Sequence, residues 1–180
     1  MTGASDAWGP AEVDRLRELA NIGAGHAADA FAQLTGRPMW MAVPRVRPSE
    51  DPEPEGRATG VFFEVNGSLR ALVGILFRPG ECEEVVRCLG ASRGGGDDAS
   101  LLTEVGNILV SHMASAIADT LGGRLLPSLS SFSLDRAGEE LADRVRRRGP
   151  GHPIRIECEL TDGAGEIGGL LVLIPDSQGT

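Results

Sequence analysis

The sequence contains no lysine, so all of its basic side chains apart from histidine are arginines, and the net charge at pH 7 is −9. Proteins that bind nucleic acids usually present a basic surface to the phosphates, so this charge balance argues against a nucleic-acid partner. Cysteine is also scarce, because only Cys82, Cys88 and Cys158 are present, an odd number without paired spacing. Structural disulfides and a zinc site are therefore disfavoured, and we expect buried thiols.

Long apolar runs and a signal-peptide core are missing as well. No apolar run approaches the length needed to cross a membrane, and the polar, glycine-rich start MTGASDAWG lacks the core of a secretory signal. We therefore expect a cytoplasmic protein without membrane insertion. Its 180 residues, of which 41% are hydrophobic, can bury the core of a single domain or of two fused half-domains.

The most informative feature present is an internal repeat with a constant shift of eighty-six residues. Residues 18–36 read ELANIGAGHAADAFAQLTG, and residues 104–122 read EVGNILVSHMASAIADTLG. Alanine and isoleucine suit any packed helix, but asparagine is a poor residue for a helix interior because its side chain competes for backbone hydrogen bonds. The recurrence of Glu-x-x-Asn is therefore more than helix composition.

Helical periodicity places the repeated polar residues on one exposed stripe of each helix. At about 100° per residue, positions separated by three, four and seven residues fall within an arc of about 60°. The opposite face is apolar in both copies and suited to packing on a core. The stripe comprises Asp14, Glu18, Asn21 and Gly25 in the first copy, and Ser100, Glu104, Asn107 and Ser111 in the second.

Two ordinary interpretations compete with a functional one. Exposed helix faces often carry polar residues without a task, but such faces tolerate many polar types, so the return of the same acid and amide at the same spacing favours a function. The segment Gly23-x-Gly25-x-x-Ala28 also fits a dinucleotide-binding fingerprint. That fingerprint requires a preceding buried strand, whereas residues 8–20 show helical periodicity with several charges. His26 and His112 are expected to be packed or hydrogen-bonded rather than ligands.

The repeats lack a self-sufficient catalytic set. Neither contains a Ser-His-Asp set, a Cys-His pair or a cluster of metal ligands. A carboxylate and an amide without a nucleophile can promote hydrolysis only on a group that a partner supplies. The sequence therefore points to a protein that acts on, or binds to, another macromolecule.

These residues resemble the CheC/CheX/FliY family of chemotaxis phosphatases. The family motif is Asp or Ser, then Glu four residues later, Asn three further, and Pro twenty-three beyond the Asn. The first copy fits at every position, with Asp14, Glu18, Asn21 and Pro44. The second copy fits at Ser100, Glu104 and Asn107, but Ser130 occupies the proline position.

The resemblance implies that the protein removes phosphate from the aspartyl phosphate of a CheY-like response regulator. Asn21 and Asn107 would orient the hydrolytic water, and Glu18 and Glu104 would contact the active-site lysine of the regulator. The regulator would supply Mg²⁺, so we expect no metal or other cofactor on this chain. We also expect the protein to be a monomer.

Two rival functions remain open. A binding module of the same fold would dock a response regulator, a CheD-like receptor deamidase or the flagellar switch without hydrolysis, and a CheD-like protein is a candidate second partner in either case. A structural assembly whose repeat faces pack together is disfavoured, because Glu and Asn are poor residues to bury unpaired.

Local patterns predict an α+β fold. Turn residues and apolar periodicity delimit each predicted segment. Asn66-Gly67 is the strongest hairpin signal, and residues 162–165 predict a second turn. The Pro- and Glu-rich tract 47–56 predicts a flexible loop. Asp97 or Asp98 should cap the second motif helix. We expect helices at 10–34, 81–89 and 135–147 beside that helix, and strands at 39–46, 57–65, 69–77, 153–160 and 166–174.

The resemblance adds the arrangement of these elements. The chain 1–180 would be a single domain of two intertwined, pseudo-symmetric halves, at about 10–92 and 96–175. The two halves would share an antiparallel sheet, and the two long motif helices would pack on it with their polar stripes exposed.

Overall fold

The fold was described from a computed structural model, for residues 8–52, 54, 56–90, 97–148 and 154–176. The two motif helices are the longest elements, α1 at Pro10–Thr35 and α3 at Asp98–Leu121. Two shorter helices are α2 at Pro79–Gly90 and α4 at Ala137–Arg147. The strands are β1 Met39–Met41, β2 Arg45–Pro48, β3 Thr59–Gly67, β4 Ala71–Phe77, β5 Leu125–Pro127, β6 Ser131–Ser133, β7 Ile154–Asp162 and β8 Gly168–Pro175.

Local sequence signals fix the ends of both motif helices. At the start of α1 the carboxylate of Glu12 accepts a hydrogen bond from the Gly9 N–H at 2.8 Å, and the helix ends at Gly36 in the left-handed conformation. The helix α3 starts after Asp97, whose carboxylate accepts a backbone N–H, and ends at Gly122 with φ 68°. Both helices, and the capping role of Asp97, are thus confirmed.

The strands form one antiparallel sheet in the order β1-β7-β8-β4-β3-β5, with β2 also paired to β7 and β6 also paired to β3. Strands from the two halves alternate in blocks, so β7 and β8 of the second half lie between β1 and β4 of the first. The halves are therefore interleaved, and the α+β prediction with an antiparallel sheet is confirmed.

The strand registers repeat as well as the strand order. Met39 pairs with Asp162, and Leu125, eighty-six residues after Met39, pairs with Gly67 of the other half. In the same way, Arg45 of β2 pairs with Glu157 of β7. The equivalent pair in the other half of the sheet is Ser131 of β6 with Phe62 of β3. These matched registers are those of a molecule with a pseudo-two-fold axis, and they are consistent with an internal duplication.

The two faces of the sheet are covered differently. One face carries the main core, in which α1, α2 and α3 pack on the strands. The other carries a smaller core, where Ala137 and Leu141 of α4 pack on residues such as Phe62 and Leu72. By length and composition α3 could span a membrane, contrary to the expectation from the sequence, but 61% of its apolar window is buried inside the protein. Its apolar character is thus explained by packing.

The two motif helices pack against each other at a glycine. A Cβ at Gly23 of α1 would lie 2.7 Å from Met113 Cγ and 2.9 Å from Ile117 Cδ1 of α3. Glycine therefore allows the helices to approach closely at this point.

Two predictions about strands need correction. The predicted strand 39–46 is divided into β1 and β2 by residues 42–44, because Pro44 cannot donate a ladder hydrogen bond. The hairpin between β3 and β4 exists, but its turn lies at 68–70 rather than at Asn66-Gly67. Those two residues remain in β3 because they pair with β5, and Gly67 is required there since a Cβ would overlap the Arg124 carbonyl oxygen.

The remaining local predictions fare better. The turn at 162–165 is confirmed between β7 and β8, and the helix predicted at 135–147 begins two residues later. Within the predicted loop 47–56, Arg47 and Pro48 belong to β2, and residues 53 and 55 lie outside the described part of the chain.

We expect the two glycines of α1 to respond in opposite directions to alanine. Gly23→Ala should lower the free energy of unfolding by about 1–3 kcal/mol, because the added methyl overpacks the contact with Met113 and Ile117. Gly25→Ala should raise it by up to about 1 kcal/mol, because alanine favours helices and the nearest atom, Met41 Sδ, is at an ordinary 3.7 Å. Urea denaturation of both variants tests this, and equal effects would show that the helix contact is not tight.

Candidate functional site

The predicted stripes lie on the solvent side of the two long helices. Asp14, Glu18 and Asn21 are all exposed on α1, and their repeat equivalents Ser100, Glu104 and Asn107 are exposed on α3. Glu and Asn are three residues apart in a regular helix, so their Cβ atoms are neighbours, about 5–6 Å apart. The structure therefore places each acid beside its amide on an accessible surface.

The buried faces of the helices hold the stripes in position. Leu16, Leu19 and Ala20 of α1 are buried around the exposed pair, as are Leu102 and Val105 of α3. Because these residues fix the rotation of each helix on the sheet, the side chains between them must point outward.

A glycine brings the second pair especially close to the sheet. A Cβ at Gly106 would lie 3.1 Å from Val61 Cβ on β3, so the backbone of α3 approaches the strand directly behind Asn107. The amide of Asn107 is thus carried on a rigid support, as a positioned polar group requires.

The first residue of each stripe has a different local partner. The Asp14 carboxylate accepts a hydrogen bond from Arg17 at 2.7 Å, across one helical turn. The Ser100 hydroxyl instead donates to the capping carboxylate of Asp97 at 3.3 Å. The two copies are therefore alike in their acid and amide but differ in what surrounds them.

The strand after each motif helix returns beside it. Met41 of β1 lies next to Gly25, one turn beyond Asn21, and Pro44 is buried in the connection between β1 and β2. The matching connection carries Ser130, which is half-buried. The proline position of the motif is thus buried and does not belong to the exposed surface of the first stripe.

The histidines of the repeat are not buried in either copy. His26 and His112 are exposed, so they are not packed, and the alternative of hydrogen bonding stays a prediction. Each lies five residues beyond its asparagine, at the flank of the helix, where the side chain turns to solvent instead of to the neighbouring strands.

Two of the three cysteines carry thiols that are hard to ionise. All three are free; Cys158 is buried, and Cys82 and Cys88 are half-buried. Burial raises the pKa of the Cys82 thiol to about 11, and the pKa of Cys158 likewise to about 11. Both thiols are therefore protonated near neutral pH and unsuited to nucleophilic catalysis.

Sequence reasoning missed a buried ionic cluster. Arg57 is buried and donates to Glu81 at 2.9 Å and to Glu159 at 2.8 Å. Burial lowers the pKa of the Arg57 guanidinium, which the nearby Glu81 carboxylate partly offsets. The cluster joins the start of β3, α2 and β7, which are distant in sequence, so no local pattern could have revealed it.

The arginine that directly follows α4 has a similar structural task. Arg148 donates two hydrogen bonds to the Glu64 carboxylate, at 2.8 and 2.7 Å, and also contacts Asp176. These bonds tie the end of α4 to β3 and to the end of β8.

The stripes lie outside a large cavity of the described residues. That cavity, of about 740 Å³, lies between α2, the start of α3 and β6, and is lined by residues such as Cys82, Leu102 and Phe132. None of the predicted catalytic residues contributes to it. Among the described residues, no group of three or more His, Cys, Asp and Glu is arranged to hold a metal ion.

The fold and the two stripes define a class of protein. It is an α+β protein that presents paired carboxylates and amides on the outer surface of two related helices, instead of enclosing them in a cleft. Such a surface suits a macromolecular partner more than a small molecule, which would require a concave site.

Comparison with known proteins names the family. The CheC-like family matches residues 14–47, which include the first motif. The CheY-P phosphatase CheC of Bacillus subtilis (strain 168) is 31% identical over 147 residues, covering 73% of this chain and 70% of that protein. The chain belongs to the CheC-like family.

Solved structures share the fold. Thermotoga maritima FliY has a TM-score of 0.68 at 17% identity, covering 96% of this chain and 92% of that one. CheX of Desulfovibrio desulfuricans has a TM-score of 0.66 at 12% sequence identity, covering 88% of this chain and 99% of that one. CheX of Borrelia burgdorferi was solved as a complex with CheY, BeF₃ and Mg²⁺. Its TM-score is 0.60 at 14% sequence identity, covering 86% of this chain and 96% of that one.

We expect the site amides to contribute nothing to stability. Replacing Asn21 and Asn107 together with alanine should leave the free energy of unfolding unchanged or raise it by a few tenths of a kcal/mol, because both side chains are exposed and alanine is the better helix former. Thermal and urea denaturation measure this. A loss of more than about 1 kcal/mol would mean that the amides support the fold.

Proposed function

We propose that this protein hydrolyses the aspartyl phosphate of a CheY-like response regulator. The observation that supports the proposal is the presence of two Glu-x-x-Asn pairs, at equivalent positions of two helices, with all four side chains exposed. Membership of the CheC-like family, and the naming of its Bacillus subtilis relative as a CheY-P phosphatase, point to the same substrate.

The chemistry follows from what the chain has and what the partner brings. A phosphorylated regulator contributes the phosphorus centre and a bound Mg²⁺ that neutralises charge on the phosphoryl oxygens. Phosphoryl transfer depends mainly on positioning and charge stabilisation. Asn21 or Asn107, inserted beside the phosphoryl group, would hold a water in line for attack at phosphorus through its carboxamide.

The glutamates would set the register of docking. Glu18 or Glu104, one turn before the amide, would accept a charge-assisted hydrogen bond from the active-site lysine of the regulator. In the complex this contact loses its water and contributes about 1.5–3 kcal/mol. Since Glu and Asn project from one rigid helix, anchoring the acid fixes the amide within reach of the phosphoryl group.

The exposed position of the stripes determines how water is excluded. In the described part of the chain no lid or cleft encloses them, so the reacting group would be enclosed only when the regulator covers the helix. The small residues Gly25 and Ser111, one turn beyond each amide, leave space for that approach.

The alternative is a binding module that uses the same stripes without hydrolysis. The exposed positions of the acid and amide would serve both functions, so only a kinetic measurement separates them. We also propose that the chain works as a monomer with two sites, and that a CheD-like deamidase is a further candidate partner.

The decisive experiment measures decay of a phosphorylated CheY homologue. Asn21→Ala combined with Asn107→Ala should abolish the stimulated dephosphorylation, because neither helix can then orient the water. Glu18→Ala combined with Glu104→Ala should also reduce the rate, but through weaker docking, so a higher concentration of the variant should recover part of it.

A matched control uses the same helices. Gln33→Ala combined with Asp119→Ala changes two exposed residues that are also related by the eighty-six-residue shift, but lie far along the helices from the stripes. This variant should retain wild-type activity. Full activity of the double asparagine variant would remove the catalytic assignment, and regulator binding without any rate enhancement would favour the binding module.

The second measurement concerns the metal. Because the proposed division of labour assigns Mg²⁺ to the regulator, calorimetric titration of this protein alone with MgCl₂ should show no specific heat of binding. The same titration of the regulator serves as the positive control. A stoichiometric Mg²⁺ site on this chain would contradict the proposed mechanism.

A further inference from the structure

The repeat carries an exposed histidine in addition to its acid and its amide. His26 and His112 are related by the eighty-six-residue shift, and both side chains are exposed. Packing explains why apolar and small residues recur on the buried faces of the two helices, but it does not require the same side chain twice on a surface open to solvent. The return of histidine therefore needs a reason other than folding.

The two motif helices run in opposite directions. Near the end of α1, the Thr35 carbonyl oxygen accepts a hydrogen bond from the Cys88 thiol of α2 at 3.3 Å. The same helix α2 also faces the start of α3, because its Val86 and the Asp98 of α3 line one cavity. The end of α1 and the start of α3 are thus close together, which makes the two helices antiparallel.

The helix contact at Gly23 sets the two histidines at the same level. A Cβ at Gly23 would lie close to both Met113 and Ile117, so position 23 of α1 is level with the midpoint of these two residues on α3. Because the helices are antiparallel, three residues forward along α1 correspond to three residues back from that midpoint, about 4.5 Å in each case. His26 is therefore level with His112.

Both histidines border the same groove. His26 is rotated by about 60° from Gly23, which faces α3, and its exposure shows that this edge of the contact is open to solvent. His112 directly precedes Met113 and is also exposed. The sheet covers the opposite side of both helices, so the two exposed edges form one outer groove. Packed helices have axes about 8–10 Å apart, which puts the two Cβ atoms within about 8 Å of each other.

Two imidazoles at this separation can share one ligand. Imidazole nitrogen is the commonest metal ligand in proteins, and it suits zinc, copper and nickel, whereas magnesium prefers oxygen. We propose that His26 and His112 together bind one Zn²⁺ ion across the groove between α1 and α3. The part of the chain that the structure describes has no group of three or more His, Cys, Asp and Glu around a metal position, so water completes the coordination.

The ion would join the two motif helices on their solvent side. Each histidine lies five residues beyond its asparagine, which is about 7.5 Å along the axis and about 140° around the helix. Zinc would therefore link the helices without occupying either stripe. Its binding is independent of phosphatase activity, so it can be tested whether or not the proposed function holds.

Calorimetric titration with ZnCl₂ tests this site. The wild-type protein should bind one Zn²⁺ per chain, and zinc should raise its thermal denaturation midpoint, because the ion binds the folded state. His26→Ala and His112→Ala should each weaken binding by about a hundredfold, because the second histidine no longer adds an intramolecular contact. X-ray absorption of the zinc-loaded protein should show two imidazole nitrogens at about 2.0–2.1 Å from the metal.

His152→Ala is the matched control. His152 is the third histidine of the sequence and lies outside both copies of the repeat. This variant loses the same type of side chain and should bind zinc as the wild-type protein does. Because His26 and His112 are exposed, their alanine variants should keep the wild-type denaturation midpoint in the absence of zinc.

Three results would overturn the proposal. Unchanged binding in both His26→Ala and His112→Ala would place the zinc elsewhere, for example on the cysteine thiols. A loss in only one of these variants would show that the two histidines do not share the ion. A doubled mass of the zinc-loaded protein in solution would show that histidines of two chains hold it together.

Discussion

The close contact between the two motif helices is the constraint on which the surface depends. Gly23 permits Met113 and Ile117 to pack against the α1 backbone, and the apolar faces of both helices are covered by this contact and by the sheet. Once these faces are buried, the opposite side of each helix must be exposed. The positions of Glu18 and Asn21 are thus consequences of packing elsewhere.

The same packing explains why the acids and amides of the two stripes are exposed on the outer side of the helices. A convex helix face is accessible to a folded partner, as the proposed function requires. The rigidity comes from the core behind the face, since Gly106 brings α3 directly onto Val61 of β3.

The pseudo-two-fold arrangement leaves the halves free to differ where packing does not require identity. The strand registers match between the halves, yet α4 covers the face opposite the motif helices in the second half, while the residues described between β2 and β3 of the first half include no helix. The surroundings of the stripes have diverged likewise, with Arg17 beside one and Thr103 beside the other. Buried contacts preserve the geometry, whereas exposed charges can change without a penalty in folding.

The sequence by itself determined the helices and their exposed stripes, because periodicity and caps such as Asp97 and Gly36 act within a few residues of chain. It also indicated the family, through residues close together in each repeat. Tertiary structure alone decided the turn after Asn66-Gly67 and the burial of Arg57 beside Glu81 and Glu159. Each of these depends on a neighbouring element distant in sequence, and pairing with such an element overrides a local preference.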